Sequence, residues 1–274
     1  MRIPIANGQF YANNFEDLKK QIKNCFKSGP GNSKDKRTKK IYGIITPHAG
    51  YSYSGKCAAF AYKEIANSIF PKSYIILGVN HTGYFGKKLA LSYDDWQTPF
   101  GIVKNSKEKI SNLKDDIKAH AFEHSIEVQL PFLQFVSKDN LKNLRILPIT
   151  VSEIDYNYCK DIAKEFPKDS VLIISSDFTH YGSLYNYEPF KENKRENIEK
   201  IDMEAIKLIM EFKTKEFLEY CKDKTICGVY GIALGLEILK EMGATKATLL
   251  KYYTSGDITN DYNSMVGYAS IVFE

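Results

Sequence analysis

The sequence predicts an α/β fold, a single-domain αβα sandwich with a mixed central sheet, and three observations support this prediction. From residue 41 onward, short β-branched runs alternate with longer segments of helical periodicity. The composition, with 43% hydrophobic and 26% charged residues, is that of a globular protein and excludes collagen-like and disordered classes. The 274 residues contain neither an obvious linker nor a fixed-period repeat, so we expect one domain over residues 1–274.

The amino-terminal part predicts a short helix followed by a surface loop. Apolar residues at 15, 18, 22 and 26 give the helix its buried face. Residues 28–40 are rich in Gly, Ser and basic side chains, which favour a solvated loop. Because no aromatic residues are interleaved with the basic ones, we do not expect a nucleic-acid partner.

The predicted strands and helices then follow in alternation. The strands are IYGIIT (41–46), SYIILG (73–78), LRILPITV (144–151) and VLIISS (171–176), with two more runs at 247–255 and 264–273. The helices cover residues 54–66, 155–166, 194–221 and 228–242. The last two strands are joined by GDITNDYN and are expected to pair as a hairpin-like edge.

Three of the five histidines, His48, His81 and His180, follow predicted strands within a few residues. In open α/β sheets, ligands bind beyond the carboxyl ends of the strands. A lone histidine is more often an ordinary hydrogen-bonded residue than a ligand. Three histidines at equivalent positions instead predict a shared site.

Two further motifs add candidate proton-transfer groups. Asp177 lies three residues before His180, where it can orient the imidazole, share in proton transfer, or cap a helix. Glu123 and His124 open the segment EHSIEVQLPFL, and His124 is a second candidate for proton transfer. Placing Glu123 and Glu127 in the first turn of a helix gives both acids a structural explanation.

Cys227 precedes the predicted helix at 228–242, and a helix amino terminus lowers a thiol pKa. A thiolate together with two imidazoles favours zinc, iron or copper over magnesium or calcium. The competing chemistry is a Cys227 nucleophile with His180 or His124 as its base. The spacing leaves both alternatives open.

Charge and cysteine content predict the setting of the protein. The net charge of +5 permits an anionic ligand without requiring one. Five cysteines without a CxxC pair favour a reducing compartment. With neither a signal peptide nor a membrane span in the sequence, we expect a cytoplasmic protein with no membrane partner. No interface between copies of the chain is predicted.

Six motifs together resemble the Memo (mediator of cell motility) family: RIPIANGQFY, PHAGYSYSG, GVNHT, EHSIEVQLPFL, SSDFTHYG and TICG. The resemblance implies a fold similar to the class III extradiol dioxygenases, which use non-haem iron. It also implies a metal, iron or copper with zinc as the alternative, held by His48, His81 and Cys227. Asp177 and His180 would line the same pocket, His180 would take the place of an acid–base histidine, and His124 with Glu123 would lie nearby.

The third ligand separates this chain from the dioxygenases. They use two histidines and one carboxylate, whereas Cys227 would supply a softer thiolate here. We therefore do not expect ring cleavage, and the leading prediction is a metal-binding protein with a redox or oxygen-linked activity. The alternative is a non-catalytic module that binds a peptide or small molecule in the same pocket. A zinc-dependent or thiol-dependent hydrolase is a third possibility.

Overall fold

The computed structural model describes residues 1–31, 37–83, 88–111 and 113–274, so residues 32–36 of the predicted basic loop lie outside the described residues. The strands in these ranges are β1 (Gly43–Thr46), β2 (Tyr74–Val79), β3 (Leu89–Leu91), β4 (Trp96–Thr98), β5 (Gly101–Asn105), β6 (Arg145–Val151), β7 (Val171–Ser175), β8 (His180–Tyr181), β9 (Ala247–Thr254) and β10 (Met265–Phe273). The helices are α1 (Phe15–Ser28), α2 (Tyr51–Asn67), α3 (Ile117–Ala121), α4 (Gln129–Val136), α5 (Tyr156–Ala163), α6 (Lys194–Met210), α7 (Thr214–Tyr220), α8 (Val229–Met242) and α9 (Gly256–Thr259).

The described strands form one mixed sheet, as predicted. Its order is β4-β5-β6-β2-β7-β1-β10-β8, with β3 paired to β6 and β9 paired to β10. The five strands from β5 to β1 in this order run parallel, and β10 is antiparallel to β1. The predicted pairing of the last two strands is confirmed, because β9 and β10 are antiparallel neighbours.

Helices pack on both faces of the sheet because successive side chains of a strand point to opposite sides. Ile44 of β1 belongs to the core beneath α1, α2 and α4, whereas Ile45 belongs to the core beneath α5, α6 and α8. In β7, Ile173 and Ile174 divide between the same two cores. The alternation produces the predicted αβα layers and leaves the carboxyl ends of the parallel strands free at one edge.

The structure departs from the predicted elements in several places. The helix predicted over 194–221 is two helices, α6 and α7, separated at Phe212, whose φ of 54° is left-handed. Strands β3, β4, β5 and β8 were not predicted, because each is short and none belongs to a longer β-branched run in the sequence. Of the described helices, none is long and apolar enough to cross a membrane.

Candidate metal centre

Three neighbouring strands deliver the candidate site residues to one edge of the sheet. His81 follows β2, Asp177 follows β7 and His48 follows β1, and these strands lie side by side in the order β2-β7-β1. His180 lies in the short strand β8 and pairs with Val266 of β10. The structure thus brings His48, His81 and His180 to one edge of the sheet, where all three line the same pocket.

Cys227 joins this group from the loop before α8. Its Sγ lies 3.2 Å from His48 Nε2, and the rings of His48 and His81 are 5.2 Å apart. His48, His81 and Cys227 each offer one ligand atom, and these atoms all lie within 4.8 Å of one another. The thiol–base alternative named His180 or His124, but the imidazole at hydrogen-bond distance from the thiol is that of His48.

Backbone contacts hold Cys227 in place. The Asp177 amide donates to Sγ at 3.3 Å, and the Gly228 amide donates to Ser176 Oγ at 3.0 Å. A Cβ on Gly228 would come within 2.4 Å of the Ser176 side chain. Only glycine therefore allows the loop to approach this closely.

Hydrogen bonds fix which nitrogen of His81 and His180 carries the proton. His81 Nδ1 lies 3.0 Å from Glu123 Oε1, and His180 Nδ1 lies 3.0 Å from the carbonyl oxygens of both Phe178 and Thr225. Carboxylate and carbonyl oxygens only accept, so Nδ1 donates in both rings. In the neutral imidazoles the lone pair is then on Nε2, the atom left for a metal or a proton.

The electrostatics of the site favour neutral imidazoles at His48 and His124 and an ionised carboxylate at Glu123. Burial lowers the pKa of His48 well below its ordinary value, and the nearby His81 and His124 lower it further. Burial also lowers the pKa of His124 to about 4. Burial acts to raise the pKa of Glu123, but its hydrogen bond and charge interaction with His81 lower it to about 2. Neutral imidazole is the form that binds metals.

The expectation of a lowered pKa for the Cys227 thiol is wrong when only the protein's own groups act on it. Burial raises the pKa of this thiol well above its usual range, and the Asp177 charge raises it further. The amino terminus of α8 at Val229 lowers a thiol pKa too little to outweigh the effect of burial. A bound cation reverses this balance, because a coordinating thiol is deprotonated.

The helical explanation of Glu123 and Glu127 is also wrong. Helix α4 begins at Gln129, so both acids precede it. Glu127 instead forms a buried ion pair with Arg2 and accepts hydrogen bonds from the amides of Ile5 and Ala6. The carboxylate is part of the support beneath the amino-terminal segment and not a helix cap.

Glu123 and His124 lie against the metal ligands, as the resemblance implies. The His124 ring stacks on that of His81 with centroids 4.9 Å apart, and Phe10 lies 4.4 Å from it on another side. His81, Glu123 and His124 also bring one ligand atom each within 4.8 Å of one another. Because the carboxylate already accepts the His81 N–H, we interpret Glu123 as the partner that orients His81.

Asp177 supports the His48 loop rather than His180. Its Oδ1 accepts from the amides of His48 at 2.8 Å and Ala49 at 3.3 Å, just before α2 begins. The orientation of His180 comes from the two carbonyl groups named above. Burial raises the pKa of Asp177.

A pocket of about 690 Å³ opens beside these groups. It is lined by Phe10, His48, Ala49, Gly50, Tyr53, His81, His124, Asp177, His180, Leu184, Tyr185, Ser255, Thr259, Asp261, Ser264, Val266 and Tyr268. The described lining contains two carboxylates and four aromatic rings but neither lysine nor arginine. The lysines and arginines that give the chain its net positive charge therefore offer no pairing partner for an anionic ligand in this pocket.

These features define an α/β protein with a candidate transition-metal site of two imidazoles and one thiolate at the carboxyl edge of its sheet. The chain belongs to the Memo family, because the model of that family, described as Memo-like protein, matches residues 2–272. A MEMO1 family protein of Methanopyrus kandleri is 37% identical, covering 99% of this chain and 98% of the relative. A MEMO1 family protein of Pyrococcus abyssi is 36% identical and covers 99% of both chains.

One solved structure also shows a likeness. It is the crystal structure of uncharacterized protein JW3007 from Escherichia coli K12, with a TM-score of 0.47 and 8% sequence identity. The match covers 86% of this chain and 100% of that chain. A likeness this distant adds nothing to the fold assignment.

Proposed function

We propose that the protein binds a redox-active transition metal, iron or copper, through His48, His81 and Cys227 and uses it in a redox or oxygen-linked reaction. The observation that supports the proposal is the approach of three ligand atoms to within 4.8 Å of one another. Metal–ligand bonds of about 2 Å require such proximity. Two nitrogens and a thiolate suit iron, copper or zinc, and of these only iron and copper change oxidation state.

The pocket beside the ligands supplies the other functional groups. A bound iron or copper ion would bring electron-transfer chemistry to the pocket. His180 lines the same pocket and its Nδ1 is hydrogen-bonded to backbone carbonyls, so its Nε2 is the group we assign to accept or return a proton of the substrate. Ring cleavage is not part of the proposal, because a thiolate stands where the dioxygenases have a carboxylate ligand.

The composition of the pocket also narrows the ligand. Tyr53, Tyr185 and Tyr268 offer aromatic surface, and Asp177 and Asp261 offer negative charge. Aromatic faces and carboxylates both attract cations. We therefore infer a neutral or cationic small molecule with an apolar or aromatic part.

Elemental analysis of anaerobically purified protein tests the metal proposal. We expect iron or copper near one equivalent in the wild-type protein and its loss in both Cys227→Ser and His81→Ala. His180→Gln is the matched control, because it alters the same pocket but none of the three ligands. Absence of metal from wild-type protein, even after reconstitution with iron(II) or copper(I), would contradict the proposal.

The second candidate is a binding module that holds a small molecule or peptide without turnover. The 690 Å³ pocket with its aromatic lining supports it independently of any metal. Ligand binding that survives His180→Gln, with no turnover in the wild-type protein, would favour this function. An enzyme would lose turnover in that variant while retaining its metal.

We also propose a cytoplasmic location. All five cysteines are free, which is typical of proteins in reducing compartments. Cell fractionation tests the location directly.

A further inference from the structure

A buried chain of hydrogen bonds lies behind His48, on the side away from Cys227. Tyr62 Oη lies 2.9 Å from Gln129 Oε1, and Gln129 Nε2 lies 2.9 Å from the Pro47 carbonyl oxygen and 2.8 Å from Ser175 Oγ. Ser175 Oγ then lies 2.7 Å from the Ser125 carbonyl oxygen and 3.0 Å from His48 Nδ1. Gln129, Ser175 and His48 are each no more than 2% exposed.

The donors and acceptors available to these groups determine which atom donates in each hydrogen bond. The carbonyl of Pro47 only accepts, so the Gln129 NH₂ group lies there and donates its second hydrogen to Ser175 Oγ. The carbonyl of Ser125 also only accepts, so the single hydroxyl proton of Ser175 is donated to it. Ser175 Oγ has no proton left for His48 and must accept the N–H of His48 Nδ1.

We propose that Gln129 and Ser175 are positioning residues that hold His48 in its Nδ1–H form, so that the Nε2 lone pair faces Cys227 and His81. The competing tautomer carries its proton on Nε2 and would donate it to Cys227 Sγ, 3.2 Å away. In that form the nitrogen offers no lone pair to a metal. The consequence for metal binding rests on the proposed function, whereas the tautomer of His48 does not.

With this assignment, His48 shares its proton position with two of the other three imidazoles that line the pocket. His81 donates through Nδ1 to a carboxylate and His180 donates through Nδ1 to two carbonyls. His48 has only a hydroxyl at this position, and a hydroxyl can either donate or accept. The Gln129 amide and the Ser125 carbonyl remove that ambiguity.

Long-range ¹H–¹⁵N NMR of metal-free protein with ¹⁵N-labelled histidine reads the tautomers directly, with assignments from single histidine substitutions. We expect the Nδ1–H form for His48 in the wild-type protein and a shift toward the Nε2–H form in Ser175→Ala. Ser175→Thr, which keeps the hydroxyl, should restore the wild-type pattern. His180 is an internal control for folding, since its carbonyl partners are untouched and its signals should not move.

Metal affinity of the same variants, measured with copper(I) or iron(II), tests the consequence. We expect Ser175→Ala to bind about 10 to 100 times more weakly than wild type, as is usual when a ligating histidine loses its supporting partner. Gln129→Met, which has no hydrogen-bond donor for Ser175, should also bind more weakly. It is the second variant should Ser175→Ala fail to fold.

The outcomes separate the two proposals. An Nε2–H form of His48 in the wild-type protein, or an unchanged tautomer in Ser175→Ala, overturns the positioning role. Unchanged metal affinity in Ser175→Ala despite a shifted tautomer supports the positioning of His48 and overturns its consequence for metal binding. A wild-type Nδ1–H form that responds to Ser175→Ala, in a protein that binds no metal, supports the positioning role while the proposed function fails.

Discussion

Arg2 and Glu127 form a buried ion pair that ties the amino terminus to the segment carrying Glu123 and His124. Their side chains are 4% and 0% exposed, although 125 residues separate them in the sequence. The Arg2 guanidinium also donates to the carbonyl oxygens of His120 and Glu123. The pair therefore fixes the backbone from which Glu123 reaches His81.

Replacing Arg2 with alanine should destabilise the protein strongly. The variant leaves the Glu127 carboxylate buried without its counter-charge, and breaking a buried pair in this way costs about 3–5 kcal/mol. Denaturant unfolding measures the loss. It should be accompanied by weaker metal binding, since the segment that orients His81 is loosened.

Lys168→Ala is the matched control for this prediction. Lys168 pairs with Glu241 at 3.4 Å, but the two side chains are 60% and 39% exposed. An exposed pair contributes about 0–1 kcal/mol. Equal effects of the two substitutions would show that the Arg2 pair has no special structural role.

Replacing Gly228 with alanine should weaken metal binding. The new Cβ would lie 2.4 Å from the Ser176 side chain, which is fully buried and cannot withdraw. The loop must shift, and Cys227 Sγ moves with it relative to His48. We expect at least about a tenfold loss of metal affinity, the lower end of the range for disturbed supporting contacts.

Gly231→Ala, three residues further on in α8, provides the comparison. Apart from its chain neighbours and the backbone of its own helix, no described atom lies within 4 Å of a Cβ at this position. Alanine favours the helix over glycine by about 1 kcal/mol, so the free energy of unfolding should rise slightly while metal affinity stays unchanged. Titration of both variants with the same metal measures the two affinities. An equal loss of affinity in Gly228→Ala and Gly231→Ala would contradict the steric explanation.

The sequence predicted the parts of the site that depend on local pattern. His48, His81 and His180 each follow a strand whose run of β-branched residues is visible without the structure, and parallel strands bring such positions together. The chain order of the motifs also sufficed to place Cys227 with them through the family resemblance. For the three histidines, the sheet topology alone brings the side chains to one edge.

The sequence could not predict what depends on distant partners. Glu123 and Glu127 appeared to begin a helix because their spacing suits a first turn, yet their partners His81 and Arg2 lie on other segments. The direction of the hydrogen bonds from Gln129 through Ser175 to His48 likewise depends on the Pro47 and Ser125 carbonyl groups. Their positions cannot be read from the sequence pattern. Burial of Cys227 outweighed the helix amino terminus for the same reason, since burial is a property of the assembled fold.

Asp202 should make stability fall as the pH rises through about 6. Burial raises the pKa of this carboxyl to about 6, against hydrogen bonds from Thr179 and Tyr252 that lower it. A carboxyl with a raised pKa in the folded state contributes stability that is fully present below its unfolded pKa, near 4, and is lost through its folded pKa. The loss is on the order of 3 kcal/mol.

Asp202→Asn isolates this contribution from those of other acids. The amide keeps an acceptor for Thr179 and does not titrate. Unfolding free energies of both proteins, measured from pH 4 to pH 8, should show the wild type losing stability relative to the variant as the pH rises. A constant difference across this range would show that Asp202 keeps an ordinary pKa.

The charge of the pocket predicts which ligands it accepts. Asp177 and Asp261 lie in the lining of the pocket, while the described lining contains neither lysine nor arginine. An opposite unit charge at about 4 Å contributes roughly 1–4 kcal/mol, so we expect 4-hydroxyphenethylamine to bind about tenfold more tightly than 4-hydroxyphenylacetate. The neutral alcohol of the same skeleton should lie between them. Calorimetry on metal-free protein measures these affinities without a contribution from binding of the acid to a metal ion.

Two substitutions test which carboxylate selects the ligand. Asp177→Asn, whose amide oxygen still accepts from the His48 amide, should remove most of the preference for the amine. Asp261→Asn should remove less of it, because Asp261 is exposed. Tighter binding of the acid than of the amine would show that the carboxylates do not select the ligand.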